Sequence, residues 1–316
     1  MAFKGLDFVP HGTKIPFLSL RFFAFVLSGL ALIGSIALFS AKGLNYGIDF
    51  IGGTSMEVRH SAGPADIADI RAKVSALNFG DVQVQQFDDP RDVLVRIELQ
   101  PGGEEANQVA LNKIKTALGD AYEFRNTEVI GPTVSAELTE AGLYAVLSAI
   151  FVVLIYIWLR FEWQFSVGAV LALVHDVLLT IGVFSLLQLE FTLSIIAALL
   201  TIVGYSLNDT VVVYDRVREN LRKFKKMELA QLLDLSINET LSRTILTSVT
   251  TLIALVSLFV FGGEVIRGFV FAMIWGVVVG TYSSIFIAAP VLLVLGVKRD
   301  WSGLGGSKYK EPGKAS

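Results

Sequence analysis

The chain has 316 residues, of which 53% are hydrophobic and only 17% are charged, and its mean hydropathy is +0.62. Soluble domains carry about a quarter charged residues, so this composition indicates a membrane protein, and the small net charge of −3 does not favour a nucleic-acid partner. The lack of cysteine excludes disulfides, thiolate nucleophiles and zinc–thiolate sites. The three histidines are scattered along the chain, so no metal or cofactor site is predicted.

Six apolar blocks have about the 20 residues that a membrane-spanning helix needs. They predict a polytopic α-helical membrane protein with six transmembrane helices. The blocks occupy residues 17–39, 141–159, 165–187, 191–213, 244–261 and 268–297. The predicted domains are an N-terminal segment 1–16, a first transmembrane helix 17–40, an inserted domain 41–138, a five-helix bundle 139–297 and a tail 298–316.

Lysine and arginine in the short loops set the predicted orientation, because cytoplasmic loops are enriched in both. On the side of the two termini these residues are Lys4, Lys14, Arg21, Arg160, Arg216, Arg218, Arg222, Lys223, Lys225 and Lys226, and the tail adds more. The short loops on the other side contain one positive residue, Arg267. Both termini are therefore predicted to be cytoplasmic, and the inserted domain 41–138 is predicted to lie outside.

The inserted domain shows strand and helix patterns in the order βαββαβ. Alternating residues predict strands at 54–60, 82–85, 93–99 and 122–130, and amphipathic patterns predict helices at 64–77 and 104–118. This order is that of the ferredoxin-like fold, which serves many unrelated functions. No catalytic group stands out in it, so an exoplasmic recognition or lever domain is predicted.

The third predicted span contains an imidazole and an acid, His175 and Asp176. They indicate either a secondary part of a proton relay or hydrogen bonds between helices, and both alternatives are open. Small residues in the bundle are expected to permit close helix packing; they are Gly168, Ala172, Gly182, Gly276 and Gly280.

Asp209 lies inside the fourth predicted span and is the leading candidate for a functional residue. A carboxylate at the centre of a membrane helix costs about 2.5–3.5 kcal/mol, so an acid there is a functional candidate by default. Asp215 and Arg216 mark the cytoplasmic boundary of the span, roughly 9 Å further along the helix. Tyr205 lies one turn before Asp209 on the same face, and Asn208 is its polar neighbour.

The fifth span supplies Arg243 near its cytoplasmic end, and Thr247 follows one turn later. Two antiparallel helices that share a cytoplasmic end can place Arg243 at the depth of Asp209, and pairing would lower the desolvation penalty of both charges. Alternatively, Arg243 extends its charge to the lipid headgroups. Before this span, the stretch 224–238 predicts a short amphipathic helix at the membrane surface.

Five stretches together resemble the SecD/SecF family of protein-export membrane proteins, part of the resistance–nodulation–division superfamily. They are Gly47–Thr54, Ile130–Ser135, Val174–Val177, Val203–Asn220 and Leu241–Thr244. The long run in the fourth span is specific, whereas a Gly-Gly or His-Asp pair alone would be weak. The likeness covers nearly the whole chain and includes the layout of six spans.

The resemblance implies a function in protein export. Members of the family act beside the bacterial Sec translocon and use the proton-motive force to help draw polypeptides through the SecYEG channel, so a proton gradient rather than a cofactor supplies the energy. The chain would be a non-enzymatic accessory subunit in the inner membrane, with residues 41–138 in the periplasm. The implied partners are SecD, SecYEG, YajC, YidC, the translocating preprotein and the lipid bilayer.

The resemblance also assigns roles to particular residues. In the family, the acid of the Asn-Asp-Thr run and the arginine of the fifth span act in proton conduction, and the matching positions are Asp209 and Arg243. The secondary candidates for a proton path are His175, Asp176, Asn208, Tyr205 and Thr247. Proton entry would neutralise Asp209, weaken its pairing with Arg243 and let helices shift, and the inserted domain would carry that shift to the substrate.

Three other functions fit parts of the pattern. A proton-coupled small-molecule exporter of the same superfamily would have two large exoplasmic domains on a longer chain. An intramembrane aspartyl protease would use Asp176 with Asp209 or Asp215, but its Gly-x-Gly-Asp motif is missing. A passive assembly factor would use Asp209 and Arg243 only to hold helices together.

Overall fold

The computed structural model describes residues 13–87 and 89–297. Most of the predicted N-terminal segment 1–16, the tail 298–316 and the turn residue Asp88 lie outside these residues. Within the described ranges, six helices are long and apolar enough to cross a membrane. The predicted polytopic fold with six transmembrane helices is thus confirmed.

The first span leads into the inserted domain through a short linker. In chain order the elements are a 3₁₀ turn Phe17–Leu20, α1 Arg21–Lys42, β1 Asn45–Tyr46 and α2 Ile48–Ile51. Two glycines then start the domain, and both have positive φ angles, 70° at Gly52 and 127° at Gly53, which residues with a Cβ atom rarely adopt. A Cβ atom on Gly53 would also lie 2.7 Å from the carbonyl oxygen of Ile97, so the tight backbone approach requires glycine here.

The inserted domain is a four-stranded antiparallel sheet with two helices packed against it. Its elements are β2 Gly53–His60, α3 Ile67–Ser75, β3 Val82–Gln86, β4 Asp92–Ile97, α4 Gly103–Leu118 and β5 Tyr122–Ile130. The strand order is β3-β4-β2-β5, and each neighbouring pair is antiparallel. One core unites strands and helices, and its fully buried side chains include Met56, Val58, Ile70, Val74, Val93, Val95 and Ile114. The predicted ferredoxin-like arrangement is confirmed.

The remaining five spans form a bundle. Its elements are α5 Pro132–Arg160, α6 Trp163–Leu187, β6 Glu190–Phe191, α7 Leu193–Lys223, α8 Leu229–Phe261, α9 Glu264–Ser283, a π-helical turn Ser284–Ala288 and α10 Ala289–Leu295. Helices α6, α7 and α9 form its buried centre, whereas α1, α5 and α8 expose most of their surface. Because the spans number six, α1 begins and α10 ends on one side, here called the terminal side; the inserted domain lies on the other, the insert side.

Helix α8 is longer than the sequence indicates. It begins at Leu229 and continues without a break to Phe261, so the predicted separate surface helix within 224–238 is wrong. The apolar face that gave rise to that prediction packs on protein rather than on lipid, since Leu232 and Ile237 are buried in the core that also contains the end of α7.

The sixth span is interrupted where the sequence predicts a regular helix. Pro290 lies in the first turn of α10 and lacks the N–H group that a regular helix uses. The π-helical turn Ser284–Ala288 directly precedes it. Such turns occur as single interruptions of α-helices, and this one brings the end of α9 to the centre of the bundle, where Ser283 and Ser284 are buried.

Glycines bring the helices close together, as predicted. A Cβ atom on Gly182 would collide with Ser35 of α1, and one on Gly276 would collide with Ile202 of α7. Gly280 faces the Cβ atom of Ser206 at 3.0 Å. Gly168 likewise faces Tyr214 and Ala288, so the close-packing role is confirmed for all four glycines.

We predict that Gly182→Ala destabilises the protein by about 1–3 kcal/mol, the usual range for an overpacked contact. The added methyl group would lie 2.9 Å from the Cα atom of Ser35, so backbone rather than a flexible side chain must move. Denaturant titration in lipid–detergent micelles measures the effect. Gly34→Ala in α1 is the control, because nothing lies within 4 Å of its added Cβ atom; equal losses in both variants would contradict the packing role.

Candidate functional site

Asp176 of α6 lies at the centre of a hydrogen-bonded network inside the bundle. Its side chain is 1% exposed. Its Oδ2 atom accepts hydrogen bonds from Ser206 Oγ of α7 at 2.6 Å and from Ser283 Oγ of α9 at 2.8 Å. Its Oδ1 atom lies 3.0 Å from Nδ1 of His175. Both carboxylate oxygens have partners, which offsets much of the penalty for burying an acid.

His175 extends the network to α1. Its Nε2 atom lies 3.2 Å from Ser28 Oγ, and Ser28 Oγ lies 3.0 Å from the hydroxyl of Tyr282. The Tyr282 hydroxyl also donates to the carbonyl oxygen of Ala24 at 3.2 Å, and its ring stacks on the imidazole with centroids 5.9 Å apart. The network therefore joins α1, α6, α7 and α9.

These hydrogen bonds join helices, as the interhelical alternative for His175 and Asp176 predicted, and the relay alternative stays a prediction. The partners Ser28, Ser206 and Ser283 were not identified from the sequence, because a serine in an apolar helix usually bonds to its own backbone. A usable signal was present all the same: Ser206 belongs to the same polar run as Asp209, one turn before it.

Asp209 is buried but lacks such partners. Its side chain is 3% exposed, and its Oδ2 atom has no hydrogen-bond partner among the described residues. Tyr205 Oη on the same helix and Thr244 Oγ1 on α8 are also buried without a partner. Buried polar atoms are seldom left unpaired. Other spans also have such atoms, Gln164 Oε1 and Trp275 Nε1, but among the described residues Asp209 is the one acid of the spans with a buried, unpartnered oxygen.

The predicted ion pair between Asp209 and Arg243 is not formed in this structure. The Arg243 charge acts on the Asp209 carboxylate, but neither an ion pair within 4.0 Å nor a hydrogen bond joins these two described side chains. The reason is the rotation of α8: Thr244 faces the bundle and is 2% exposed. Arg243, about 100° away on the helix, is exposed.

The other predicted residues do not gather around Asp209 through hydrogen bonds. Asn208 is exposed and Tyr205 is half-buried. Thr247 Oγ1 donates to the carbonyl oxygen of Thr244 in its own helix at 2.9 Å. In residues 13–87 and 89–297, no group of three or more His, Asp or Glu side chains is arranged to hold a metal ion.

The inserted domain and its linker hold the insert-side end of α7. Asp49 Oδ2 accepts a hydrogen bond at 2.8 Å from the backbone N–H of Leu193, the first residue of α7. An acid at a helix N-terminus is stabilised by the helix dipole. Strand β1 pairs with β6 directly before that helix. The helix that carries Ser206 and Asp209 is therefore anchored at its start.

An ion pair adds a second connection between the domain and the bundle. Arg96 of β4, whose side chain is 6% exposed, pairs with Glu190 of β6. Burial raises the pKa of the Glu190 carboxyl above its ordinary value, and the nearby Arg96 charge opposes that rise. The sequence did not indicate this pair, because the two residues lie in separate domains.

Two family models match the chain. One, described as protein export membrane protein SecD/SecF, C-terminal, matches residues 110–298. The other, described as the SecD/SecF GG motif, matches residues 37–59, which include the Gly52–Gly53 turn.

Named relatives and a solved structure agree with these matches. The protein translocase subunit SecF of Rhodobacter capsulatus is 46% identical over 315 residues, which cover 95% of this chain and 94% of that protein. The protein translocase subunit SecDF of Brucella abortus is 46% identical over 295 residues, 93% of this chain but 39% of that protein. The crystal structure of SecDF from Thermus thermophilus, a translocon-associated membrane protein, matches with a TM-score of 0.82 and 35% identity over 90% of this chain and 39% of that one.

The two buried acids are predicted to respond differently to substitution. Asp176→Ala leaves two serine hydroxyls and an imidazole without their acceptor and should lower the free energy of unfolding by about 1–3 kcal/mol. Asp209→Asn removes a buried charge whose Oδ2 atom has no partner, so it should lower the free energy of unfolding less than Asp176→Ala does, or raise it. Denaturant titration of both variants tests this, and a larger loss in Asp209→Asn than in Asp176→Ala would contradict it.

Proposed function

The chain belongs to the SecD/SecF family of protein export membrane proteins, and on that premise we propose that it is an accessory subunit of the Sec protein translocase driven by the proton-motive force. It is a multi-pass protein of the bacterial inner membrane and a transport component rather than an enzyme. The steps by which a proton gradient would act on it are part of this proposal.

SecD is the partner that the relatives support. Both the Brucella and the Thermus proteins are named SecDF, and this chain matches 39% of each. Because this chain corresponds to only part of a SecDF protein, we expect a partner chain that corresponds to the remaining part. The exposed polar side chains of the bundle also support a partner, because they would otherwise face lipid; they include Thr201 and Asn208 of α7 and Arg243 and Thr250 of α8. We assign SecD to this polar stripe.

Asp209 is the proposed proton-binding group. The observation that carries this proposal is its buried Oδ2 atom without a hydrogen-bond partner, next to the polar stripe through which a proton would arrive. Arg243, on the exposed face of α8, carries the positive charge that would attract an ionised Asp209 carboxylate without a direct pair. Protonation would remove that attraction and allow α7 and α8 to shift relative to each other.

Coupling to the inserted domain would run through α7. Its insert-side end is held by Asp49, and the loop directly before it is held by the Arg96–Glu190 ion pair. The hydrogen bond from Ser206 to Asp176 ties the middle of α7 to α6. A shift of α7 caused by a change of charge at Asp209 would therefore reach the domain directly, and His175 and Asp176 would hold helices together rather than relay protons.

In the proposed orientation both termini lie in the cytoplasm and the inserted domain lies in the periplasm. The positive residues of the terminal side support cytoplasmic termini and a periplasmic inserted domain. In that orientation the domain faces the preprotein that emerges from SecYEG, with YajC and YidC as further members of the complex. The proton gradient serves as the energy source, and no cofactor is invoked.

The rival functions receive less support. An intramembrane aspartyl protease needs two acids free to act on one substrate, and both oxygens of Asp176 are occupied. A small-molecule exporter finds no support in the names of the relatives, which are translocase subunits. A passive assembly factor would need a direct Asp209–Arg243 pair, which the structure lacks.

We predict that Asp209→Asn abolishes the proton-dependent part of export. Inner-membrane vesicles that contain SecD and SecYEG would be compared with and without an ionophore that collapses the proton gradient. The variant should export a model preprotein at the ionophore-treated rate in both conditions, because an amide does not exchange the proton. Ionophore-sensitive export at the wild-type level would overturn the proposal.

Two controls sharpen this experiment. Asp69→Asn makes the same chemical change in α3 of the inserted domain, where the partly exposed side chain pairs with Lys73, and should leave export unchanged. The double variant Asp209→Arg with Arg243→Asp distinguishes the passive assembly factor from a proton-binding protein. A purely structural pair would tolerate the exchange and restore export. A protein that needs a proton-binding acid at position 209 would not.

A second prediction concerns coupling through the domain. The chain contains no cysteine, so Arg96→Cys with Glu190→Cys can be bridged by a short bis-maleimide that fixes the domain to the bundle. Bridging should remove ionophore-sensitive export if relative movement is required. The control pair, Ser55→Cys with Glu128→Cys, joins neighbouring positions of β2 and β5 within the domain and should have no effect; full export by the bridged Arg96–Glu190 variant would refute the coupling.

A further inference from the structure

A cavity on the terminal side of the bundle is lined mainly by positive side chains. Its volume is about 540 Å³, and its lining residues are Arg160, Asp215, Arg218, Glu219, Arg222 and Lys223. Four of these are positive and two are negative, so the lining has a net charge of +2. Glu219 is also engaged by Arg216 at 2.7 Å. The net positive charge of the lining would attract an anion.

The positions of two of the guanidinium groups are fixed by the fold. Arg160 pairs with Asp215 at 2.7 Å, and Arg218 donates to the carbonyl oxygen of Arg160 at 3.3 Å. Both guanidinium groups also lie on the ring of Phe161, 5.0 Å and 5.4 Å from its centroid. Asp215 Oδ1, which pairs with Arg160, also lies 4.0 Å from Arg218 Nη1. One carboxylate thus serves both guanidinium groups, and two further bases of the lining, Arg222 and Lys223, add positive charge that would attract an anion.

An apolar crevice lies deeper in the membrane and shares α5 with the charged cavity. It has a volume of about 140 Å³ between α5 and α6, and its lining is apolar throughout, with Leu154, Val170 and Val174 among its residues. Leu154 lies roughly 9 Å along α5 from Arg160 at the helical rise per residue. The charged cavity and the apolar crevice thus lie at successive depths along α5.

Aromatic side chains mark the depth of the cavity. Trp158 and Trp163, on either side of the turn between α5 and α6, are 70% and 57% exposed. Exposed tryptophans are enriched at the level of the lipid headgroups. The basic cavity therefore lies where phosphates of the terminal-side leaflet are found.

We propose that this cavity binds the phosphate headgroup of an anionic phospholipid and that an acyl chain of the same lipid lies in the crevice between α5 and α6. Basic pockets between transmembrane helices suit such headgroups, and guanidinium groups match the geometry of phosphate oxygens. Free phosphate would use the cavity alone, whereas a lipid uses both features. The bound headgroup ties the α5–α6 turn to the terminal-side end of α7.

Native mass spectrometry of the complex with SecD tests the proposal. The complex would be equilibrated with equal amounts of phosphatidylglycerol and phosphatidylcholine, and the retained lipids counted. The double variant Arg222→Gln with Lys223→Gln should lose one retained phosphatidylglycerol, with its preference for that lipid falling about 30-fold, at about 1 kcal/mol per base. Wild-type retention in this variant would overturn the proposal.

Matched changes distinguish this site from general attraction to an anionic surface. Lys225→Gln with Lys226→Gln removes the same charge just beyond the cavity and should retain the lipid; an equal loss here would overturn the proposal. Inorganic phosphate at millimolar concentration should not displace the lipid, and displacement would identify a free-anion site instead. Val170→Trp, which fills the crevice, should weaken retention of long-chain phosphatidylglycerol, and unchanged retention would remove the acyl chain from the proposal.

Discussion

A bilayer offers no water to a buried polar group, so each such group must find its partner within the protein. This constraint separates the two acids of the bundle. Asp176 has a partner for each carboxylate oxygen, and those partners join four helices. Asp209, about one turn beyond Ser206 on α7, keeps a buried oxygen without a partner. Asp176 therefore links the helices of the bundle. Asp209 keeps a carboxylate oxygen without a partner, and it is the group whose charge is proposed to change.

Helix α7 connects these features. Asp49 holds its insert-side end, Ser206 ties its middle to Asp176, and Arg218 packs on Phe161 at its terminal side. A change of charge at Asp209 therefore acts on a helix that is fixed along one face and exposed along another. The proposed SecD contact would cover the exposed face, and the proposed lipid would steady the far end.

Hydropathy and periodicity were sufficient for much of this structure. The length of the apolar blocks gives the number of spans, and alternation gives the strands of the inserted domain, because both reflect burial of residues close in sequence. The cost of an intramembrane acid pointed to Asp209 without any knowledge of its neighbours. Glycine contacts between helices followed from the same reasoning.

Relations between distant elements could not be predicted in this way. Sequence gives the depth of Arg243 in the membrane but not the rotation of α8 about its axis, and that rotation turns Thr244 inward and Arg243 outward. Asp176 has partners on α7 and α9, its neighbour His175 contacts Ser28 of α1, and Arg96 meets Glu190 across two domains. Each of these contacts depends on tertiary packing, for which no local pattern exists.

The most direct measurement of the central claim is infrared difference spectroscopy of the reconstituted complex with SecD, acid minus neutral, in the carboxylic acid C=O region. If Asp209 takes up the proton, one C=O band that titrates in the wild type is missing from Asp209→Asn and present in Asp69→Asn. A spectrum of Asp209→Asn that retains every titrating band of the wild type would contradict the assignment.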